Sequence, residues 1–208
     1  MNKKGFLISI EGIDGAGKSL LAKNLSNKLT LKNFDVLLTN EPGGTSLGKK
    51  LRKILHEEKE NVCDLAEFLL FASDRAQHFK QIIIPSLKDR KIIISDRLAD
   101  SSLAYQGYAR ELDIQMIKNI NNWAMHNIEP DLIFYIKIDI KTAIKRIFKR
   151  NETLTSFEKE KTNFWQKVLD GYEKIFKNRK NIVILDGMLS PEKICDLAIN
   201  SLINKISK

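Results

Sequence analysis

Two periodicities alternate along the chain. Short apolar runs at 6–10, 36–39, 92–95, 132–138 and 182–185 read as buried strands. Between them, apolar positions recur at helical spacing over about 18–32, 47–56, 64–79, 114–126, 141–150 and 157–177. Pro191 stands where a proline opens the first turn of a last helix, and Pro85 interrupts the stretch before the third strand. Strands alternating with helices predict an α/β fold on a mainly parallel sheet. No repeat, low-complexity tract or linker divides the chain, so a single domain over 1–208 is expected.

Composition narrows the class without changing that picture. With 43% hydrophobic and 29% charged residues in 208, the chain is globular rather than disordered, collagen-like or coiled-coil. Its apolar runs fall short of the ~18 residues of a membrane span, and the run near the start ends at Glu11, too soon for a signal peptide. Cys63 and Cys195 lie far apart with no metal-ligand spacing, which points to buried packing thiols in a reducing cytoplasm. His56, His78 and His126 fall at unrelated spacings and read as non-catalytic.

The formal charge of +9 raises the question of a nucleic-acid partner. Its makeup argues against one. Lysines account for 27 of the 35 basic residues and are scattered, whereas arginine, suited to forked phosphate contacts, occurs eight times. A solvated lysine surface is the expectation, with neither nucleic acid nor membrane as partner.

Gly12-Ile13-Asp14-Gly15-Ala16-Gly17-Lys18-Ser19 matches G-x-x-x-x-G-K-[ST] between a predicted strand and a predicted helix. Glycines there let backbone N–H groups approach phosphate oxygens, and the helix N-terminus favours negative charge. Gly12, Gly15, Ala16, Gly17, Lys18 and Ser19 are therefore the expected ATP-binding residues, with Lys18 on the β- and γ-phosphates. Ser19 and Asp96, the acid that ends the third strand, are the expected ligands of Mg²⁺. A GTPase would need Asn-Lys-x-Asp, and Asn27-Lys28-Leu29-Thr30 lacks the acid.

Further segments carry residues unusual for a structural role: Glu41-Pro42-Gly43-Gly44-Thr45, Phe71-Ala72-Ser73-Asp74-Arg75, Asp96-Arg97 and Ser101 to Gly107. Three of the four fall at carboxyl ends of predicted strands, where open parallel sheets bind ligands. Two arginines, an aromatic and an amide on that rim suit a phosphorylated aromatic acceptor.

Through EGIDGAGKS, TNEPGGTSLGKKLR, FASDRAQH, SDRLADSSLAYQG and EPDLIFYIKID, nearly the whole chain resembles the bacterial thymidylate kinases. The resemblance implies a P-loop nucleoside monophosphate kinase-like fold, with a five-stranded parallel sheet flanked by helices. It also implies transfer of phosphate from ATP to dTMP with Mg²⁺, and a homodimer. Asp14 would touch the acceptor's 3′-hydroxyl, and Arg97 would grip the acceptor phosphate. Phe71 would stack on thymine, Arg75 would bond a base carbonyl, and Ser102 and Gln106 would complete the base edge. Tyr105 would crowd the 2′ position, Glu41 would shape the acceptor side near the metal, and Arg52 would approach dTMP. A kinase for another nucleotide, and a P-loop ATPase, remain the alternatives.

The chain departs from that pattern in its lid, expected at about 146–158. Gly15 in the phosphate loop resembles the class that carries its catalytic arginine in the lid, as Leu-Asp-Arg-hydrophobic-Glu. Here the segment is Leu154-Thr155-Ser156-Phe157-Glu158, so Ser156 replaces the arginine while Thr155 and Glu158 keep a T-x-x-E capping box. Arg146 and Arg150, four apart on one helix face, are the candidates to supply the missing charge. Asn40 is a second departure, standing where the family often has arginine before Glu-Pro. The segment near Gly187 is the expected adenine edge.

Overall fold

A computed structural model describes residues 4–56, 62–150 and 153–206. Part of the expected lid, at 151–152, therefore lies outside the described residues. Five strands, β1 (Phe6–Glu11), β2 (Val36–Asn40), β3 (Ile92–Asp96), β4 (Leu132–Lys137) and β5 (Ile182–Asp186), form one parallel sheet in the order β2-β3-β1-β4-β5. Every residue of β1 is buried, because helices cover both faces of the sheet. Ile8 and Ile10 enter one apolar layer with Leu21, Leu25 and Phe134, while Leu7 enters the other with Phe79, Ile83 and Ile93. β1, β3 and β4, buried on both sides, read as nearly continuous apolar runs, while β2 and β5 at the edges are only partly buried.

The helices are α1 (Lys18–Leu31), α2 (Ser46–His56), α3 (Asp64–His78), α4 (Ile84–Lys88), α5 (Ala99–Ser102), α6 (Ile114–Ala124), α7 (Ile140–Lys149), α8 (Thr162–Phe176) and α9 (Pro191–Ile206). Asp113 and Asp139 cap α6 and α7 by accepting from the backbone N–H of Met116 and Thr142. Pro85 does not end the helical path: a π-helical turn over Phe79–Ile83 joins α3 to α4 and places the proline in the first turn of α4.

Two expectations need correction, and one stretch left unassigned is filled in. The stretch 157–177 is not one helix. A 3₁₀ turn over Phe157–Lys159 stops where Glu160 and Lys161 turn extended, with ψ of 153° and 158°, and α8 starts afresh. Residues 99–109, to which the apolar periodicity assigned no element, are helical, with a π-helical run over Leu103–Ala109 that packs on α8. Cys195 is buried as expected, but Cys63 is exposed because it sits at the N-cap of α3 rather than in its buried face.

Candidate active site

β1 lies at the centre, with β3 on one side and β4 on the other, so chain connections diverge at its carboxyl end. A crevice opens there in sheets of this type. A cavity of about 820 Å³ occupies it. Of the residues nominated from sequence for catalysis, phosphate, acceptor or metal binding, all but Gly12 and Ala16 line this one cavity. Those two shape it from beneath: Gly12 O accepts from Arg97 Nη1 at 3.0 Å, and Ala16 O accepts from Arg146 Nη1 at 3.4 Å.

The phosphate loop needs its glycines for different reasons. Gly17, at φ 100°, is the N-cap of α1 and offers no side-chain cap, which leaves the first N–H groups of the helix free to meet an anion. Gly15, at φ 78°, packs so closely on α7 that an added Cβ would lie 2.5 Å from Ala143 O. Lys18 Nζ donates to Ile13 O at 2.8 Å and lies 3.6 Å from Asp14 Oδ1. Burial and the neighbouring Arg97 charge push its ammonium down to about 8.

Ser19 Oγ donates to Asp96 Oδ2 at 2.5 Å, and Asp96 Oδ1 is buried with no hydrogen-bond partner among the described residues. Such an orphaned carboxylate oxygen suits a divalent cation. Among the described residues no group of three or more His, Cys, Asp or Glu could hold a metal. A cation here would therefore need phosphate oxygens to complete its shell, the usual situation for Mg²⁺.

Arg97 adopts φ 71° just past β3 and reaches back over the loop. Nη2 pairs with Asp14 and donates to Tyr105 Oη at 3.3 Å, while Nη1 also donates to Ser101 Oγ at 2.9 Å. Burial alone would raise Asp14, but the charges of Arg97 and Lys18 outweigh it and hold the carboxyl well below its usual range. Behind the arginine, buried Glu11 accepts from Ser9 Oγ, Ser101 Oγ and Leu98 N–H at 2.7, 2.6 and 2.8 Å. Burial, with Asp100 nearby, pushes Glu11 up to about 7. Sequence reading passed over Glu11, since its partners come from distant segments.

On the side expected to take the acceptor, Phe71 lies 6.0 Å from the ring of Phe157, and the Tyr105 ring meets Phe157 edge-on at 5.6 Å. Arg75 is 1% exposed. Its Nε donates to Glu41 Oε2 at 2.9 Å, and its Nη1 donates to Asn121 Oδ1 and Ser102 Oγ at 2.7 and 3.2 Å. Nη2 has no protein partner among the described residues. Gln106 Nε2 donates to Glu67 Oε1 at 2.9 Å, and Arg52 Nη1 donates to Pro42 O at 2.9 Å. Glu41 spends both carboxylate oxygens on Arg75 and on His78, whose Nδ1 is 2.9 Å away. The turn after it is held instead by Asp74, which accepts from Gly43 N–H at 3.2 Å. Asn121 and His78 were not nominated from sequence.

In the segment expected as the lid, the capping box closes both ways: Thr155 N–H donates to Glu158 Oε2 at 2.9 Å, and Glu158 N–H donates to Thr155 Oγ1 at 3.3 Å. Ser156 Oγ donates to Leu55 O at 2.7 Å, tying the lid to α2. Arg150 pairs with Glu158, whereas Arg146 Nη2 donates to Gly187 O at 2.8 Å. The two candidate arginines thus have different surroundings: one borders the phosphate loop and the expected adenine edge, the other a carboxylate at the cavity rim.

Comparison with known proteins agrees with this geometry. The Thymidylate kinase family model matches residues 10–197. A thymidylate kinase of Halothermothrix orenii is 38% identical over 193 residues, covering 92% of this chain and 93% of that one. One of Thermosipho africanus is 42% identical over 187 residues, covering 90% and 92%. A crystal structure of thymidylate kinase from Ehrlichia chaffeensis superposes with a TM-score of 0.77 at 31% identity, covering 96% of this chain and 98% of that one. By sequence, by fold and by the two-sided cavity at the carboxyl end of its central strand, the chain belongs to the thymidylate kinase family.

Proposed function

We infer the following division of labour for the phosphorylation of dTMP to dTDP that this thymidylate kinase carries out with ATP. Phosphoryl transfer passes through a loose transition state, so positioning and charge neutralisation do most of the work. Loop N–H groups from Gly15 to Ser19 and the Lys18 ammonium hold the β- and γ-phosphates. Ser19 and Asp96 hold Mg²⁺, the divalent ion that neutralises charge on those phosphates when bound; the unpartnered Asp96 Oδ1 supports this choice.

Arg97 grips the dTMP phosphate, with Asp14 both orienting the guanidinium and accepting from the 3′-hydroxyl. Tyr105 crowds the 2′ position from its place beside both groups. Phe71 stacks on the base. Arg75 presents its free Nη2 to a base carbonyl, with Ser102 and Asn121 keeping its other nitrogen occupied. Gln106 closes the base edge, and Arg52 approaches the acceptor from α2. Glu41 acts by holding Arg75. Arg146 secures the ATP side, and Arg150 supplies the charge on the transferring group that Ser156 lacks.

The observation that carries this reading is the shared cavity: the Lys18 and Arg97 head groups and the Phe71–Arg75 pocket face one space of about 820 Å³. The test is ADP release from ATP·Mg²⁺ over a panel of nucleoside monophosphates. Selective turnover with dTMP is expected, and a panel without stimulation overturns the reading. A homodimer is supported by exposed apolar side chains on neighbouring helices, Leu65 and Leu69 of α3 and Trp123 of α6, and light scattering tests it. Among the described residues no helix is long and apolar enough to cross a membrane.

A further inference from the structure

Arg75 is one end of a buried chain of polar groups that leads away from the cavity. Glu41 bonds Arg75 Nε through Oε2 and His78 Nδ1 through Oε1, both at 2.9 Å. On the far side of the ring, His78 Nε2 lies 2.7 Å from Thr39 Oγ1 at the end of β2. His78 is 0%, Arg75 1% and Glu41 3% exposed. An ionised carboxylate only accepts, so Nδ1 carries the proton toward Glu41, and Nε2 is left to pair with the Thr39 hydroxyl. Room for this pair is kept open by Gly44. A Cβ there would lie 2.8 Å from Thr39 Oγ1 and 2.9 Å from His78 Nε2.

The chain matters because of what it leaves over. Arg75 has three nitrogens; Glu41 takes Nε, Ser102 and Asn121 take Nη1, and only Nη2 remains for a ligand. A planar guanidinium fixed at two corners has its third corner aimed. Glu41 can fix one corner only if its own carboxylate cannot rotate, and His78 is the group that stops it.

We propose that His78 is a positioning residue for base selection, holding Glu41 so that Arg75 Nη2 faces the carbonyl of the acceptor's pyrimidine. It touches no substrate. This rests on the reading of Arg75 as the base-carbonyl donor. Cytosine carries an amino donor at C4 where thymine carries a carbonyl and shares the carbonyl at C2, so an Nη2 aimed at the C4 carbonyl rejects dCMP and a loosened one discriminates less.

The ring's two bonds can be separated by substitution. His78→Asn puts an amide nitrogen near the place of Nδ1 and keeps the bond to Glu41. His78→Gln reaches the place of Nε2, keeping Thr39 and releasing Glu41. The glutamine variant is expected to raise the KM for dTMP about tenfold or more and to lower the dTMP/dCMP ratio of kcat/KM. Its KM for ATP stays near that of the unmutated enzyme. The asparagine variant recovers most of the dTMP affinity. Equal losses in the two variants, no loss in either, or a parallel rise in the KM for ATP overturns the proposal.

Arg75→Gln separates the proposal from its premise. If that change leaves dTMP affinity and the dTMP/dCMP ratio intact, the base-carbonyl reading falls and the proposal with it. If Arg75→Gln alters both while the histidine variants do not, only the proposal falls. Ring ¹⁵N shifts of His78 in the unmutated protein provide a readout that does not depend on a variant folding. A protonated Nδ1 is expected, and a bare Nδ1 overturns the proposal.

Discussion

Arg150 pairs with Glu158, the residue that also closes the lid's capping box by accepting from Thr155 N–H. The arginine side chain is 44% exposed and its partner carboxylate 3% exposed, so the pair has one open end at the cavity rim. Ser156, at the expected arginine position, meanwhile bonds Leu55 O. Arg150→Ala is therefore expected to lower kcat by about a hundredfold or more, with a smaller change in the KM for dTMP. Arg146→Ala, which removes the bonds to Gly187 O and Ala16 O, is expected to raise the KM for ATP instead. Steady-state kinetics of the two variants read the split directly. A kcat for Arg150→Ala within a few-fold of the unmutated enzyme removes the catalytic role from that residue.

Arg97 makes separate bonds through Nη1 to Gly12 O and through Nη2 to Asp14 and Tyr105. A lysine offers one point charge and cannot span both sets. Arg97→Lys is expected to reduce kcat/KM for dTMP by about two orders of magnitude while leaving ATP affinity near normal. Equal turnover in the lysine variant contradicts the phosphate-gripping role.

Gly15→Arg tests why the phosphate loop carries no arginine. The position holds φ 78°, and any Cβ would press on Ala143 O of α7. The substitution is expected to destabilise the fold by about 1–3 kcal/mol, read as a Tm lowered by several degrees. It is also expected not to restore activity to Arg150→Ala. Recovery of kcat in the double variant refutes the steric account.

Asp74 is buried, with Oδ2 lacking a hydrogen-bond partner among the described residues. Burial and the nearby Glu41 charge push its carboxyl up from 3.8 to about 6. The folded protein then holds a proton more tightly than the unfolded chain. The linked stability is full below the ordinary carboxylate range and is lost as pH rises through about 6. Asp74→Asn, which keeps an acceptor for Gly43 N–H, removes this dependence. Relative to the unmutated enzyme it is expected to gain about 1–3 kcal/mol between pH 4 and pH 7, measured by urea unfolding at both values. A flat difference between the two proteins rules the mechanism out.

The parts of this enzyme that were readable in its sequence are those whose meaning lies in a few adjacent residues. Gly12 to Ser19 carry their chemistry as spacing, and β1 and β3 show their burial as mostly apolar runs broken only by Ser9 and by the polar residues at their carboxyl ends. Thr155 and Glu158 form a bond pattern closed within four residues. What escaped was made by distance along the chain. Nothing near Asn121 marks it as a partner of Arg75, and His78 at the end of an amphipathic helix looks like any satisfied core histidine. The helical run from Ala99 to Ala109 was hidden for a different reason. Its serines and Gly107 have weak helix propensity, and packing against α8 rather than local preference holds it helical.

Five arginines around the cavity already rest on protein oxygens: Arg52 on Pro42, Arg75 on Glu41, Arg97 on Asp14, Arg146 on Gly187 and Arg150 on Glu158. On the roles proposed above, phosphates reaching Arg97 and Arg150 compete with Asp14 and Glu158, so binding there is closer to ion exchange than to the filling of a positive well. Electrostatic attraction at a distance is reduced at Arg75, Arg97 and Arg150, whose carboxylate partners cancel much of their charge, whereas the neutral carbonyls beside Arg52 and Arg146 leave theirs uncancelled. The apparent affinities for ATP and dTMP should accordingly change much less with ionic strength than a count of arginines implies, and KM measured across a salt series would show that shallow slope.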